Sequence, residues 1–259
     1  MDSDLANNLK ILQWNCRSIL NKKFEYLDYL KDYDIALLCE TMLSSRISLD
    51  FNNYTTIRSD RQGSGSTVGG GVMINISKRI PYEVCNKIYN NTGSFESIAI
   101  TVPIIFRGSR EVLTFVSFYR PPGAIMQKSE WLKLSDSLPK NSLYVLGGDA
   151  NCHSSVWDSN SVCINLYTCS ACKSGQNLLY AIDETSHDLL IANNGSSTCF
   201  KAYNNGDIKK SALDLTIVSS NLYLGLEWST IDDLIGSDHF PINYIINTPL
   251  QILPYYTSL

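Results

Sequence analysis

Residues 143–153 read LYVLGGDANCH, one of the two most informative stretches of the chain. Its apolar first part, Leu143–Leu146, predicts a buried strand, so that Asp149 and Asn151 follow at the carboxyl end of that strand. Loops at strand ends can hold a carboxylate and an amide beside a cleft, and functional residues concentrate in such loops. The stretch therefore predicts a sheet protein with a polar site at Asp149.

A second polar stretch lies near the end of the chain. Residues 237–239 read SDH, and a further strand is predicted directly after them. Asp238 is suited to hold a hard metal ion, and His239 is suited to face an oxyanion. Together with Asp149, these side chains suit the hydrolysis of a phosphate ester.

Two strands near the N-terminus end in side chains of the same kind. The run LKILQWN at 9–15 ends at Asn15, and the run DIALLCET at 34–41 carries Glu40 near its end. Oxygen ligands from Asn15, Glu40 and Asp238 suit Mg²⁺, which proteins bind through few carboxylates, with Mn²⁺ as a substitute. A single glutamate after an apolar strand is more often a solvated strand end. Four polar groups at four strand ends favour a shared site instead.

Six motifs give the chain its resemblance to a known family. They are Gln13-Trp14-Asn15, Cys39-Glu40-Thr41, Phe118-Tyr119-Arg120-Pro121-Pro122, Gly148-Asp149-Ala150-Asn151, Leu213-Asp214-Leu215 and Gly236-Ser237-Asp238-His239. With these motifs the chain, from about Leu9 to Asn247, resembles the endonuclease/exonuclease/phosphatase superfamily. Within it, the chain is similar to the apurinic-type endonuclease domain at the N-terminus of non-LTR (LINE-like) retrotransposon polyproteins. The stretch 147–158, with His153 and Trp157, resembles Jockey-type and telomere- or rDNA-targeting insect elements.

The resemblance implies an α+β fold. It is a four-layer α/β/β/α sandwich, in which two mixed β-sheets pack face to face and are flanked by helices. A chain of 259 residues, 44% of them hydrophobic, suits one large domain with a substantial core. We expect a polar tail at 1–8, the endonuclease domain at 9–247 and the start of a linker at 248–259. In the family a reverse transcriptase domain follows in the same polyprotein, and it is an expected partner, as is double-stranded DNA.

The resemblance also implies roles for the side chains at the strand ends. They form a metal-binding set of Asn15, Glu40 and Asp238 and a catalytic set of Tyr119, Asp149, Asn151, Asp214 and His239. Asp149 and Asn151 would orient and activate the attacking water or hold the phosphate, and Tyr119 would donate a hydrogen bond to that phosphate. Asp214 would fix the tautomer of His239 and favour its imidazolium form, which stabilises charge on the phosphoryl oxygens.

The charge balance is unusual for a DNA-binding domain, which is expected to carry a basic face. Lys and Arg number 21 against 25 Asp and Glu, which gives a net charge of −4. A metal ion would neutralise part of the acidic cluster locally. The candidate phosphate contacts are Arg17, Arg58, Arg61, Arg120, Lys201, Lys209 and Lys210. For each of them, the alternative is a solvated surface cation.

A β-hairpin is predicted just before Asp214. Its strands are Thr198–Tyr203 and Leu213–Val218, with Asn204 and Asn205 in its turn. The tip would project beside the site, enter the minor groove and sense the width or flexibility of the duplex. The alternative is that the hairpin merely closes a sheet edge, with its lysines solvated.

Two positions depart from the apurinic-type repair enzymes. Arg17 stands where those enzymes place an acidic residue, and Ser211-Ala212 stands where they carry bulky aromatic and basic residues around the abasic pocket. Both changes favour intact DNA as the substrate. The predicted function is a Mg²⁺-dependent endonuclease that nicks one strand and leaves a 3′-hydroxyl, which primes reverse transcription. A repair endonuclease, a phosphatase of the same superfamily and an inactive DNA-binding module are the alternatives.

The cysteine content and the hydropathy of the chain indicate in which cellular compartment the protein is expected. The 8 cysteines are scattered, and several lie in predicted strands as small buried hydrophobes, which favours a reducing compartment. We therefore expect an intracellular protein that acts in the nucleus. Cys169 and Cys172 form a C-x-x-C pair, but no second pair matches it, so a zinc site is a minor alternative. No apolar run is long enough to span a bilayer, and no membrane association is expected.

Overall fold

The computed structural model of the protein describes residues 8–61, 69–91, 94–159, 169–202, 206–247 and 250–253. Its strands, in chain order, are β1 (Leu9–Asn15), β2 (Ile35–Cys39), β3 (Tyr54–Ser59), β4 (Val72–Ser77), β5 (Glu83–Val84), β6 (Glu96–Phe106), β7 (Ser109–Tyr119), β8 (Leu143–Asp149), β9 (Leu189–Ile191), β10 (Cys199–Ala202), β11 (Ile208–Ser211), β12 (Asp214–Ser219), β13 (Leu226–Thr230), β14 (Ile242–Ile246) and β15 (Leu250–Ile252). Its helices are α1 (Lys23–Leu30), α2 (Lys128–Asp136), α3 (Ser170–Glu184) and α4 (Ser220–Tyr223), with a short 3-10 helix at Leu20–Lys22.

Most of the strands form two mixed sheets. The first sheet has the strand order β13-β14-β1-β2-β4-β3, and the second has the order β15-β6-β7-β8-β12-β9, with β5 paired to β6. Each sheet contains a parallel pair, β1 with β2 in the first and β7 with β8 in the second. Parallel neighbours end at the same edge of their sheet. The topology therefore brings the carboxyl ends of β1 and β2 together, and likewise those of β7 and β8.

The two sheets pack face to face around an apolar core. Ile11 and Leu37 of the first sheet and Ile100, Phe115 and Val145 of the second belong to this core, and all of them are buried. Successive side chains of a strand point to opposite faces, so each of these strands also presents apolar residues outward. Those outward residues need a second apolar surface to cover them.

Helices cover the outer faces of both sheets. Tyr26 and Leu30 of α1 pack in the core on the outside of the first sheet. Trp131 of α2 and Leu178 of α3 pack in the core on the outside of the second sheet. The layers are thus helix, sheet, sheet and helix, which confirms the predicted α/β/β/α sandwich. Among the helices that the structure describes, none has the length and apolar character needed to cross a membrane.

The predicted hairpin is wrong in its second strand. β10 pairs with β11, which places Lys201 opposite Lys209, whereas β12 lies between β8 and β9 in the second sheet. Every residue of β12 is buried, but the first three residues of β11 are exposed. A strand that is buried throughout belongs in the interior of a sheet with both faces covered. The hairpin is therefore shorter than predicted and stands outside both main sheets.

The domain continues past residue 247, where the linker was expected to begin. Leu250–Ile252 forms β15, which pairs with β6 at the edge of the second sheet. Leu250 and Ile252 are buried, and both belong to the core between the sheets. Only Asn8 of the expected N-terminal tail lies within the described residues.

Candidate active site

Five predicted site residues meet at one edge that the two sheets share. Asn15 is the last residue of β1, and Glu40 follows β2 directly. Tyr119 and Asp149 end β7 and β8 and lie opposite each other in the parallel register. Asp214 begins β12 and lies opposite Asp149 in the antiparallel register. The fold thus brings together residues that are far apart in the sequence.

Gly147 and Gly148 permit the close approach of the neighbouring strands. A Cβ at Gly147 would lie 2.6 Å from Oε1 of Gln13 on the facing sheet, and a Cβ at Gly148 would overlap the backbone carbonyl of Phe118. Gln13 is buried, and its Nε2 donates to the carbonyl of Leu215 at 3.1 Å, which links the two sheets. The glycine pair is therefore explained by the spacing around β8.

Asn15 connects two carboxylates of the site. Its Nδ2 donates to Glu40 Oε1 at 3.0 Å and to Asp149 Oδ2 at 2.9 Å. Its Oδ1 accepts the backbone N–H of Arg17 at 3.1 Å. The amide therefore faces the carboxylates with its N–H groups. This differs from the predicted oxygen ligand, and Asn15 would have to turn its amide over to offer Oδ1 to a metal ion.

Asp214 and His239 form the predicted pair. His239 Nδ1 lies 2.7 Å from Asp214 Oδ2, and both side chains are almost fully buried. Burial opposes the charged imidazolium, but the carboxylates of Asp214, Asp149 and Asp238 outweigh it and raise the pKa of His239 to about 10. His239 is therefore an imidazolium at neutral pH.

Thr198 sets the geometry of this pair and was missed by sequence reasoning. Its Oγ1 donates to Asp214 Oδ2 at 2.6 Å and accepts the backbone N–H of Asp214 at 3.0 Å. The backbone N–H of Phe240 donates to the Thr198 carbonyl at 2.7 Å, which holds the segment of His239 against the start of the hairpin. A threonine at the start of a strand gives no signal of such a role in the sequence.

Asp149 is held in place by Asn151. Asp149 Oδ1 accepts the backbone N–H of Asn151 at 2.8 Å, and Oδ2 accepts its Nδ2 at 3.0 Å. Burial, followed by repulsion from Asp214, raises the pKa of the Asp149 carboxyl to about 8. A carboxyl whose pKa lies near neutrality is suited to exchange a proton with water at physiological pH.

Tyr119 is buried at the end of β7. Burial, with the nearby carboxylates of Glu40 and Asp149, raises the pKa of its phenol far above the ordinary value. The phenol therefore stays protonated at neutral pH and can act as a hydrogen-bond donor. Its ring lies 5.5 Å from the guanidinium carbon of Arg61.

Asp238 and Arg17 lie at the rim of the site. They form an ion pair with each other, and 59% of the Arg17 side chain is exposed. Both residues line a groove of about 1030 Å³, together with Lys22 and Ser237. Arg17 thus lies at the surface beside the site. The carboxylate of Asp238 pairs with Arg17, and not with Asn15 or Glu40, the other members of the predicted metal-binding set. The metal-binding role of Asp238 and the DNA contact of Arg17 stay predictions.

Arg120 lies in the interior, and the predicted DNA contact is wrong. Its exposed fraction is 2%. Its guanidinium donates to the carbonyls of Ala150 and Asn151 at 3.2 and 2.9 Å, to Ser174 Oγ at 3.0 Å, and also to the carbonyl of Ala124. Arg120 therefore supports the loop after β8 from beneath and cannot reach a phosphate.

Two other candidate phosphate contacts, Arg58 and Arg61, form ion pairs with Asp60 and Glu96. The hairpin carries the remaining predicted DNA contacts. Lys201 on β10 and Lys209 and Lys210 on β11 are exposed. Asn204 and Asn205 lie outside the described residues. The three lysines stay candidates for phosphate contacts.

Comparison with known families matches the chain to one of them. A family model described as endonuclease-reverse transcriptase matches residues 113–243, slightly more than half of the chain. The chain belongs to the endonuclease-reverse transcriptase family. The matched span contains Tyr119, Asp149, Asp214 and His239, whereas Asn15 and Glu40 lie outside it and join the site through the fold. No curated protein matched the chain.

Solved structures show that members of this fold have widely different sequences. The endonuclease domain of TRAS1, a telomere-specific non-LTR retrotransposon, is 20% identical with a TM-score of 0.65, covering 92% of this chain and 98% of that one. The Xenopus laevis APE2 catalytic domain is 17% identical with a TM-score of 0.69, covering 96% and 94%. The AP endonuclease LMAP from Leishmania major is 15% identical with a TM-score of 0.72, covering 96% and 91%. The chain thus shares its fold with these three structures.

The donor set of the site fits a divalent metal ion. Carboxylate oxygens of Asp149 and Asp214 and a ring nitrogen of His239 lie within 4.8 Å of one another, and because His239 is an imidazolium, the carboxylate oxygens are the available ligands. Oδ1 of Asp214 and Oδ1 of Asp238 are buried and have no hydrogen-bond partner among the described residues. Carboxylate oxygens are the preferred ligands of hard cations, and a cation would relieve the repulsion between these charges.

Within the described part of the chain, Cys169 and Cys172 do not offer the pair of thiolates that a C-x-x-C metal site needs. Cys172 is disulfide-bonded, and its backbone N–H donates to Cys169 Sγ at 3.4 Å. A sulfur that is already in a disulfide is not available as a thiolate ligand. Cys39 and Cys199 are free and buried in strands, as predicted.

Proposed function

We propose that the protein is a Mg²⁺-dependent DNA endonuclease that nicks one strand of a duplex. The observation that carries this proposal is the cluster of Asp149, Asp214 and His239, whose ligand atoms lie within 4.8 Å of one another. Asn15 connects this cluster to Glu40. Several buried ionisable groups with shifted pKa values in one place are typical of a functional site.

In the proposed reaction, water attacks the scissile phosphorus and the bond to the 3′ oxygen breaks. Asp149 receives the proton of the water, which Asn151 helps to orient. His239 Nε2 and the Tyr119 phenol donate to the phosphoryl oxygens as negative charge grows on them. When bound, Mg²⁺ would be held by Glu40 with the neighbouring carboxylates and would supply Lewis-acid stabilisation of charge on oxygen. The leaving oxygen gains a proton and becomes the 3′-hydroxyl.

Intact duplex is the proposed substrate, rather than an abasic site. Ser211 and Ala212 precede Asp214, and both are small and buried. The backbone N–H of Ala212 donates to the Asp158 carboxylate at 3.0 Å, which fixes this segment in the interior. Neither residue offers a bulky wall for an extruded sugar. The likeness to AP endonucleases is one of fold, and it carries no information on the substrate of this chain.

We further propose that the 3′-hydroxyl primes reverse transcription of an element's RNA in the nucleus. The enzyme for that step would be a reverse transcriptase domain of the same polyprotein. Two findings support this role. The family is described as endonuclease-reverse transcriptase, and one structure of the same fold comes from a telomere-specific non-LTR retrotransposon.

Nicking of a supercoiled plasmid tests the proposed function. We expect Mg²⁺-dependent conversion to open circles that EDTA stops and Mn²⁺ restores. Glu40→Gln and His239→Ala should each lower the rate about a hundredfold or more, because each removes a group that stabilises transition-state charge. The matched control is Glu227→Gln, an exposed glutamate on β13 at the opposite end of the first sheet, which should retain full activity.

The ends and the substrate are tested separately. A DNA polymerase should extend the nicks without prior end processing, because each nick carries a 3′-hydroxyl. An oligonucleotide with one abasic site should be cut at a rate similar to that of the intact duplex. Full activity of His239→Ala or of the wild type in EDTA would overturn the mechanism. A strong preference for the abasic strand would instead indicate a repair endonuclease.

A further inference from the structure

Arg61 is a partly buried arginine that the proposed reaction does not use. It follows β3 in the first sheet, and its Nε forms an ion pair with Glu96 Oε1 in the second sheet. The exposed side-chain fractions are 20% for Arg61 and 5% for Glu96. Removing such charges from water opposes folding, and a buried pair is often no more stabilising than apolar residues of the same size. The pair therefore calls for an explanation other than general stability.

The ion pair lies beside Tyr119. Glu96 is the first residue of β6 and lies opposite Tyr119 in the antiparallel register of β6 and β7. The Arg61 guanidinium carbon lies 5.5 Å from the centroid of the Tyr119 ring, which is within the range of a cation–π contact. A Cβ at Gly70 would overlap the guanidinium, so the glycine leaves the space that Arg61 occupies. Glu96 thus orients a guanidinium that in turn contacts the ring.

The same glutamate is connected to the segment of Glu40. Glu96 Oε2 accepts the backbone N–H of Gly71 at 2.5 Å. The carbonyl of Gly71 accepts the backbone N–H of Thr41 at 3.2 Å, one residue after Glu40. The ion pair of Arg61 and Glu96 therefore connects the first sheet near Glu40 to the second sheet near Tyr119.

We propose that Arg61 is a positioning residue, which fixes the Tyr119 phenol at the scissile phosphate. This inference rests on the function proposed above. Arg61 Nη2 is buried and has no hydrogen-bond partner among the described residues. A displacement of about 1 Å at a catalytic group can lower a rate about a hundredfold, so the orientation of the ring matters.

Arg61→Lys is the first test, because lysine keeps the charge opposite Glu96 but loses the planar guanidinium. We expect kcat for plasmid nicking to fall about tenfold, with KM changed by less than about twofold. In a Tyr119→Phe background, the same substitution should change kcat by less than about twofold, because the two effects act through one phenol. Arg79→Lys is the matched control, since Arg79 pairs with Asp34 at the opposite end of the first sheet.

If Arg61→Lys fails to fold, the double variant Arg61→Met/Glu96→Gln removes both charges and serves in the same comparison. Equal losses of kcat in the wild-type and Tyr119→Phe backgrounds would overturn the proposal, as would a loss of the same size in Arg79→Lys. Either result would leave Arg61 with a structural role only. An unchanged kcat in Arg61→Lys would overturn it too.

A second measurement separates this inference from the proposed function. In protein labelled with ¹³C-tyrosine, the Tyr119 ring signal is identified by its absence from Tyr119→Phe. That signal should shift in Arg61→Lys and stay unchanged in Arg79→Lys. A shifted signal in a protein that nicks no DNA would contradict the proposed function while supporting the contact. An unshifted signal would overturn the inference whatever the activity.

Discussion

Arg120 donates hydrogen bonds to four neighbouring residues, and these acceptors determine what its loss would do. Arg120→Met would leave buried carbonyls without a donor, and we expect the free energy of unfolding to fall by about 3 kcal/mol or more. The salt dependence of DNA binding should stay unchanged, because Arg120 reaches no phosphate. Urea unfolding and DNA titrations over a range of salt concentrations measure the two quantities.

Lys209, unlike Arg120, is exposed and is a candidate for a phosphate contact. Lys209→Gln should leave the stability unchanged and lower the slope of log K against log salt by about one, the value for one lost phosphate contact. A reduced slope in Arg120→Met with unchanged stability would restore the DNA-contacting interpretation of Arg120 that the structure contradicts.

The sequence reveals some residues of the site and not others. Asp149, Asp214 and His239 were predictable because their motifs follow strand ends and because their side chains suit phosphate chemistry. Arg120 was not, because an arginine after a strand looks the same whether it faces solvent or supports a loop. Thr198 was not, because its hydroxyl acts on a carboxylate that lies 16 positions away. Such partners are set by tertiary contacts.

Among the elements, the hairpin of β10 and β11 offers the sharpest test. Phe200 pairs with Lys210 and Lys201 with Lys209, so replacing 201–209 by Asn-Gly would shorten the hairpin and keep its first pair, Cys199 with Ser211. We expect Mg²⁺-dependent nicking to persist while the cut sites on a long duplex are redistributed, because the tip would no longer sense the shape of the groove. Sequencing of the nicked ends measures both outcomes.

Lys78→Gln is the control for the hairpin, since Lys78 is exposed at the opposite end of the first sheet. Its cut sites should match those of the wild type. The same pattern from the shortened hairpin would assign the choice of target to other loops, and the hairpin would then only close an edge.

The positions of several strands could be predicted from the sequence, but the pairing of one of them could not. The existence of β1, β2, β8 and β12 followed from short apolar runs, which periodicity detects. The pairing of β12 did not follow from the sequence. Its partner β8 lies more than sixty positions away, whereas the turn residues Asn204 and Asn205 wrongly indicated a hairpin with the nearer strand β10. β15 was missed because three residues give too short a pattern for a strand.

For the whole molecule, the buried cluster makes the free energy of unfolding depend on pH. Burial and Asp214 raise the pKa of Asp149 from 3.8 to about 8. Although burial opposes it, the surrounding carboxylates raise the pKa of His239 from 6.5 to about 10. In both cases the folded state keeps a proton that the unfolded chain has lost, and stability falls with rising pH wherever that holds. Without metal, the destabilising effect of Asp149 grows from about pH 4 to about pH 8 and is fully present above that, whereas His239 loses its stabilising effect between about pH 6.5 and 10.

We therefore expect the melting temperature in EDTA to fall as the pH rises from about 6 to about 9. Asp149→Asn should flatten the part of this profile below about pH 8, because asparagine has a similar volume and does not titrate. Mg²⁺ should raise the melting temperature most at the alkaline end, because a cation binds ionised carboxylates and relieves their repulsion. Glu227→Gln, which is remote from the cluster, should melt like the wild type throughout. A melting temperature that rises over this range in EDTA, or a Mg²⁺ effect independent of pH, would mean that the cluster does not hold the protons inferred from its burial.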